Sequence, residues 1–121
     1  MKYTFTGKTK AYSGVILQQI VYENGLLGGW IEKKENLSGD ARVYGDALVC
    51  GDAWSTSPLY IQGSMHAATN YAHGKIAIGC QIRTFQEWAA SYKQIGKENG
   101  YSAEQIAEYK AIIDLFIKIG K

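Results

Sequence analysis

Gly-Asp-Ala recurs at Gly39, Gly45 and Gly51, a six-residue spacing that restricts the fold of this chain more than any other feature in it. Within that stretch Ala41, Val43, Gly45, Ala47, Val49, Gly51 and Ala53 take every second position. A period of two collects them on one face of an extended chain. Their side chains are small, which suits the narrow inside of a β-solenoid better than the face of a broad sheet. Six residues per flat side and three sides per coil use about eighteen residues, roughly Leu37 to Trp54. One coil leaves two open ends, and the flanking chain has to cover both.

The opposite set is Arg42, Tyr44, Asp46, Leu48, Cys50, Asp52 and Trp54. Its charged members belong in water, but Tyr44, Leu48, Cys50 and Trp54 add more apolar surface than a solvated wall needs. A cover is therefore expected, either the C-terminal segment or a second subunit. Tyr44, Leu48 and Cys50 are the candidate contacts of a homo-oligomer.

Residues 1–36 carry short apolar bursts broken by glycine, which predicts strands and turns, and Asn24-Gly25 favours a type I′ hairpin turn. Leu59-Tyr60-Ile61 and Lys75 to Cys80 read as two more strands, joined through residues 63–74. The period then becomes helical. Thr84 with Glu87, and Ser102 with Gln105, have the spacing of capping boxes. Phe85, Trp88, Ala89, Tyr92 and Ile95 share one helical face that Gly96 closes, and Ile106, Tyr109, Ile113, Phe116 and Ile117 share a second before Gly120. The short connection between them forces an antiparallel pair. A chain of 121 residues is one domain. It divides into a β-and-turn lead-in over 1–36, a hexapeptide-like β core over 37–82 and a two-helix cap over 84–119. The expected fold class is α+β, with a short left-handed β-solenoid-like core of hexapeptide repeats and an antiparallel C-terminal helix pair.

A net charge of +2, scattered along the chain, is no nucleic-acid footprint. No stretch reads as a signal peptide or a membrane span, and a cytoplasmic location is expected. Cys50 and Cys80 lack the spacing of a zinc site, and in a reducing compartment they stay free thiols rather than pairing. Cys80 lies at a strand end, where either a reactive thiol or a small buried hydrophobe fits. Neither a metal nor a cofactor is expected.

The repeat aspartates Asp40, Asp46 and Asp52 read as corner-turn residues, since the nine-residue calcium-solenoid pattern is missing. His66 and His73 near Ser64 invite a hydrolase reading, but no carboxylate between Asp52 and Glu87 stands ready to orient them. Trp54, Tyr60, Tyr71 and Arg83 have the chemistry to stack on a planar ligand, with packing under the helices the competing role for Trp54. Arg83 just before a helix N-cap suits a phosphate, with a structural ion pair the competing role.

Gly28-Gly29-Trp30-Ile31-Glu32, then Glu35-Asn36-Leu37-Ser38 and the Gly-Asp-Ala repeats, resemble phage and prophage hexapeptide-repeat-like proteins. Ile61-Gln62-Gly63-Ser64-Met65-His66 and Ile78-Gly79-Cys80-Gln81 are similar to the closing part of that family, across residues 26–119. Two departures stand out: the array is cut to near its minimum, and Met65 stands where arginine is expected. The resemblance implies a phage origin, a β-solenoid core and a helical cap. By fold-level analogy with phage sponges of the anti-Thoeris and anti-CBASS kind, it implies a non-enzymatic homo-oligomer that sequesters a small nucleotide-like signal from host defence. The ligand set is then Arg83, His66, Ser64, Trp54, Tyr71 and Gln81. Two alternatives remain open: a protein-binding inhibitor of a host defence complex, of anti-CRISPR type, docking through Tyr44, Leu48 and Trp54, and an enzyme, either a hydrolase or an acyltransferase.

Overall fold

A computed structural model describes residues 2–121 and contains two four-stranded sheets followed by two helices. β1 (Tyr3–Tyr12) and β2 (Val15–Tyr22) form a hairpin, β3 (Leu27–Ile31) pairs antiparallel with β2, and the two-residue β4 (Leu48–Val49) runs parallel to β3. The second sheet is an antiparallel meander of β5 (Tyr60–Gln62), β6 (Ala67–Ala72), β7 (Lys75–Ile78) and β8 (Gln81–Thr84). α1 (Phe85–Glu98) and α2 (Ala103–Ile119) complete the chain.

No β-solenoid forms, and the expected fold class is corrected to an α+β arrangement of one mixed and one antiparallel sheet with two C-terminal helices. The six-residue spacing marks bends instead of sides. Gly39, Gly45 and Gly51 stand at φ of 57°, 57° and 75°, a left-handed region open to glycine at little cost. Between the bends only Leu48 and Val49 are strand, beside an isolated parallel bridge from Leu37 to Trp54. The inward face exists in part: Ala41, Val43, Ala47 and Val49 are buried, whereas Ala53 is exposed. Their cover is Ile20, Tyr22 and Ile31 of the first sheet, not a stacked coil. From Tyr60 onward the chain enters the second sheet, so 37–82 is split between two sheets.

The outward face is covered too, by neither of the expected partners. Leu48 packs in a seam between the sheets with Leu17, Tyr71 and Ala77, and Trp30, Cys50 and Ile82 border it. The Cys50 amide donates to the Tyr71 carbonyl at 3.1 Å, stitching the end of β4 to β6. Trp54 is buried on the other side with Leu37 and Val43. Of the three interface candidates only Tyr44 stays exposed, at 38%, while Leu48 is buried and Cys50 half-buried.

The helices follow their caps. Thr84 and Ser102 accept from the amides of Glu87 and Gln105, whose side chains accept in return. α1 continues past Gly96 to Glu98 because that glycine serves packing rather than termination. A Cβ there would lie 2.8 Å from the Ile106 side chain, so glycine lets α2 come close. The helices bury Trp88, Tyr109, Ile113 and Phe116 against Ala68, Ile76 and Ile78 of the second sheet. Glu108 of α2 also accepts from the Ser64 amide at 2.7 Å and from its hydroxyl, clasping the β5–β6 turn. The left-handed pair expected at Asn24-Gly25 is found instead at Ser13 (φ 49°) and Gly14 (φ 81°). At the other turn Gly25 alone has positive φ, and the Asn24 side chain accepts from Leu26. No helix among the described residues is long and apolar enough to cross a membrane.

Two expectations follow from this packing. Leu48→Ala should destabilise the protein by about 2–5 kcal/mol in chemical denaturation, as deletion of a buried leucine side chain does, without changing the native mass in light scattering. Hydrogen bonds from Thr84 hold the Glu87 carboxyl below its ordinary value, and those from Ser64 do the same for Glu108. A depressed folded-state pKa means that the unfolded chain binds the proton more tightly. The stabilisation from both clasps is therefore complete above the ordinary carboxylate range and lost as pH falls through the lowered values. In acid titrations, Glu108→Gln should flatten part of that loss.

Candidate functional site

At one end of the seam the two sheets diverge and leave a cleft of ≈ 510 Å³. Ser13 and Val15 of the first hairpin, Cys50 to Asp52, Tyr71 to His73, Lys75 and Ile82 line it. That volume is in the range of small-molecule sites, roughly 300–1,000 Å³. Four separate stretches meet there, and the third Gly-Asp-Ala corner is tied on both sides. Glu32 accepts from the Gly51 amide at 2.8 Å, and the Asn36 side chain donates to the Asp52 carbonyl at 2.9 Å. The Asp52 carboxylate accepts from the His73 amide at 2.7 Å, drawing the β6–β7 turn to the repeat.

Tyr71 is 4% exposed, and its ring meets that of Tyr12 edge-on at 5.6 Å. Its hydroxyl is buried with no hydrogen-bond partner among the described residues, although buried polar groups in folded proteins are nearly always paired. The Cys50 thiol is its polar neighbour, close enough for a weak side-chain hydrogen bond to shift both groups though short of full hydrogen-bond geometry. Burial pushes both groups up: the Tyr71 phenol, with the Cys50 thiol and the Glu32 charge adding to the rise, and the Cys50 thiol, with Glu32 and Asp52 adding and the Tyr71 hydroxyl and Lys75 opposing. Both therefore remain protonated donors at neutral pH. A thiol held in that state is a poor nucleophile.

Asn70 shapes the strand that carries Tyr71. It is fully buried, and its amide nitrogen lies 3.0, 3.1 and 2.8 Å from the carbonyls of Ala72, Lys75 and Lys121, its two hydrogens shared among the three acceptors. Its oxygen accepts from the Lys121 amide at 2.8 Å. One side chain thus joins both arms of the β6–β7 hairpin to the residue that follows α2.

The six ligand residues expected from the sequence do not meet in one place. Tyr71 is in the cleft. Trp54, 2% exposed, lies beneath its rim with its ring perpendicular to that of His73 at 4.5 Å. His66 and Gln81 line a different recess, ≈ 50 Å³, between the β7–β8 turn and the helix pair, walled by Trp88, Tyr92 and Tyr101. Arg83 stands beside that recess, donating to Gln81 at 3.1 Å with its guanidinium 6.0 Å from the Trp88 ring centre. The α1 N-terminus behind it already holds the Glu87 carboxylate, so the phosphate slot expected there is filled from within the chain. Ser64 is bound to Glu108. Cys80 is exposed on the recess rim. Sequence reasoning weighed Asp52 and His73 but left them out of the ligand set, and it missed Ser13 and Lys75 altogether. The one local signal was the glycine of His73-Gly74-Lys75, at φ 75°, which marks a hairpin turn.

Among the described residues no group of three or more histidine, cysteine, aspartate or glutamate side chains is placed to hold a metal ion. Comparison with family models, curated proteins and solved structures returned no match to this chain.

Asn70→Leu would take a donor from the Ala72, Lys75 and Lys121 carbonyls, of which Lys121 keeps the Gly74 amide, and an acceptor from the Lys121 amide. It should destabilise the protein by at least about 2 kcal/mol in thermal or chemical denaturation. Asn70→Asp, which keeps the acceptor and loses the donors, should fail to restore it.

Proposed function

We propose that the protein is a non-enzymatic, phage-type binding protein that holds a small nucleotide-like signal in the seam cleft and so withholds it from host defence. The observation that carries this reading is the ligand-sized cleft itself, which brings Asp52 of the third repeat corner together with His73 and Lys75 of the β6–β7 hairpin at one opening. The cleft offers donors and acceptors of several kinds, and its thiol stays protonated, which favours holding a ligand over attacking one. The hydrogen bonds that hold the Gly51–Asp52 corner to Glu32, Asn36 and the His73 amide lower the ordering cost of binding.

Self-association belongs to the proposal, with its basis moved. The aromatic rings of Phe5, Tyr3, Tyr22 and Tyr44 form a row with successive centres 6.2, 6.3 and 5.0 Å apart. Phe5 and Tyr44 at its ends are 39% and 38% exposed, a surface suited to a second copy. The rival reading as a protein-binding inhibitor needs Leu48 and Trp54 at the surface, and both are buried.

The test is to incubate the protein with linear and cyclic nucleotides, remove free ligand, denature by heat and identify what is released. Intact nucleotide is expected. Altered nucleotide would mean an enzyme, and none released would overturn the reading. Lys75→Met should weaken retention by about tenfold, as loss of a charged hydrogen bond implies, and leave the folded mass unchanged.

A further inference from the structure

The rings expected to stack on a nucleobase are already used. Trp54 is 2% exposed with the His73 ring against it, and Tyr71 is 4% exposed with Tyr12 against it. The cleft therefore has no open indole or phenol face. Its free chemistry is polar and of two signs. Lys75 is exposed and forms no ion pair among the described residues, where the single salt bridge joins Lys110 to Asp114. Asp52 uses one carboxylate oxygen on the His73 amide, and its other oxygen has an acceptor's capacity to spare. The Tyr71 hydroxyl is sealed from solvent and offers the cleft no accessible donor.

From this arrangement, and resting on the reading of the cleft as a nucleotide-type site, we infer that the protein recognises the ribose-phosphate part of its ligand and is largely indifferent to the base. The phosphate seats at Lys75, where an ammonium supplies charge without demanding one geometry. The sugar hydroxyls donate to Asp52, the pairing by which carboxylates read a ribose diol in dinucleotide sites. The base lies at the mouth, where the imidazole of His73 is the exposed ring, and stacking on it favours no base over another. An acidic wall beside a basic one also explains the ligand class physically. A bare anion meets the charge of Asp52 and gains nothing from it, whereas a phosphorylated polyol uses both walls.

Isothermal titration of the purified protein with ribose 5-phosphate, the four ribonucleoside 5′-monophosphates, the matching nucleosides and inorganic phosphate tests this. Ribose 5-phosphate and the four nucleotides should bind within about threefold of one another, and the nucleosides at least about tenfold more weakly, as loss of a charged hydrogen bond implies. Inorganic phosphate should bind more weakly than ribose 5-phosphate. Lys75→Met should remove the preference for nucleotide over nucleoside. Asp52→Asn keeps an acceptor for the His73 amide and should narrow the gap between ribose 5-phosphate and inorganic phosphate, with unchanged thermal unfolding showing that the hairpin is intact. Nucleosides binding as well as nucleotides, or one base preferred by more than about tenfold, which is about 1.4 kcal/mol, would overturn the inference and leave the binding function standing. No binding by any of these probes would overturn both.

Discussion

The two sheets are joined by the burial of Leu48 against Leu17, Tyr71 and Ala77, and most other features of the molecule depend on that contact. Leu48 is flanked by chain that bends at glycines and forms almost no strand, so it has few backbone bonds of its own to hold it. Apolar packing in the seam supplies what the ladder lacks. The Cys50–Tyr71 backbone bond then sets the spacing of β4 and β6. Once that spacing exists, the third repeat corner and the β6–β7 turn are neighbours, and the cleft is the space left where they part.

The same corner shows how a structural device becomes a site. Gly51 turns the chain, Glu32 and Asn36 hold the turn, and Asp52 reaches out to the His73 amide. Two fully buried asparagines, Asn36 and Asn70, do the fine positioning, with every bond directed at a backbone group. Buried amides of this kind tolerate few alternative arrangements, because a displaced one leaves several groups unpaired. The burial that orders the wall also raises the pKa of Tyr71 and Cys50 and keeps them as donors. Rigidity and donor character thus have one cause.

The site was only partly legible in the sequence. Tyr71 was among the expected ligand residues, and Asp52 and His73 were weighed for other roles. Gln81 and Arg83 were grouped with Tyr71 because they are close in sequence to a strand–helix junction. Strand alternation separates them: Ile82 faces the seam, so Gln81 and Arg83 face the helices. β6 escaped notice for a related reason. Ala67–Ala72 is covered on both faces and reads as small and polar residues without alternation, so neither its strand character nor its hairpin with Lys75 was apparent.

By itself the sequence determined what short-range bonds decide: both helices and their caps at Thr84 and Ser102, and the inward set Ala41, Val43, Ala47 and Val49. Each depends on groups a few residues apart, so its pattern is complete within the local chain. What lies over each face was decided only by the tertiary structure. A period of two states that a face is apolar and is silent about its cover, and a stacked coil, a helix, a second subunit or another sheet satisfies Leu48 equally well by transfer from water. Here the first sheet took the inner face and the second sheet the outer one. That choice replaced a solenoid with two sheets and put the cleft between them.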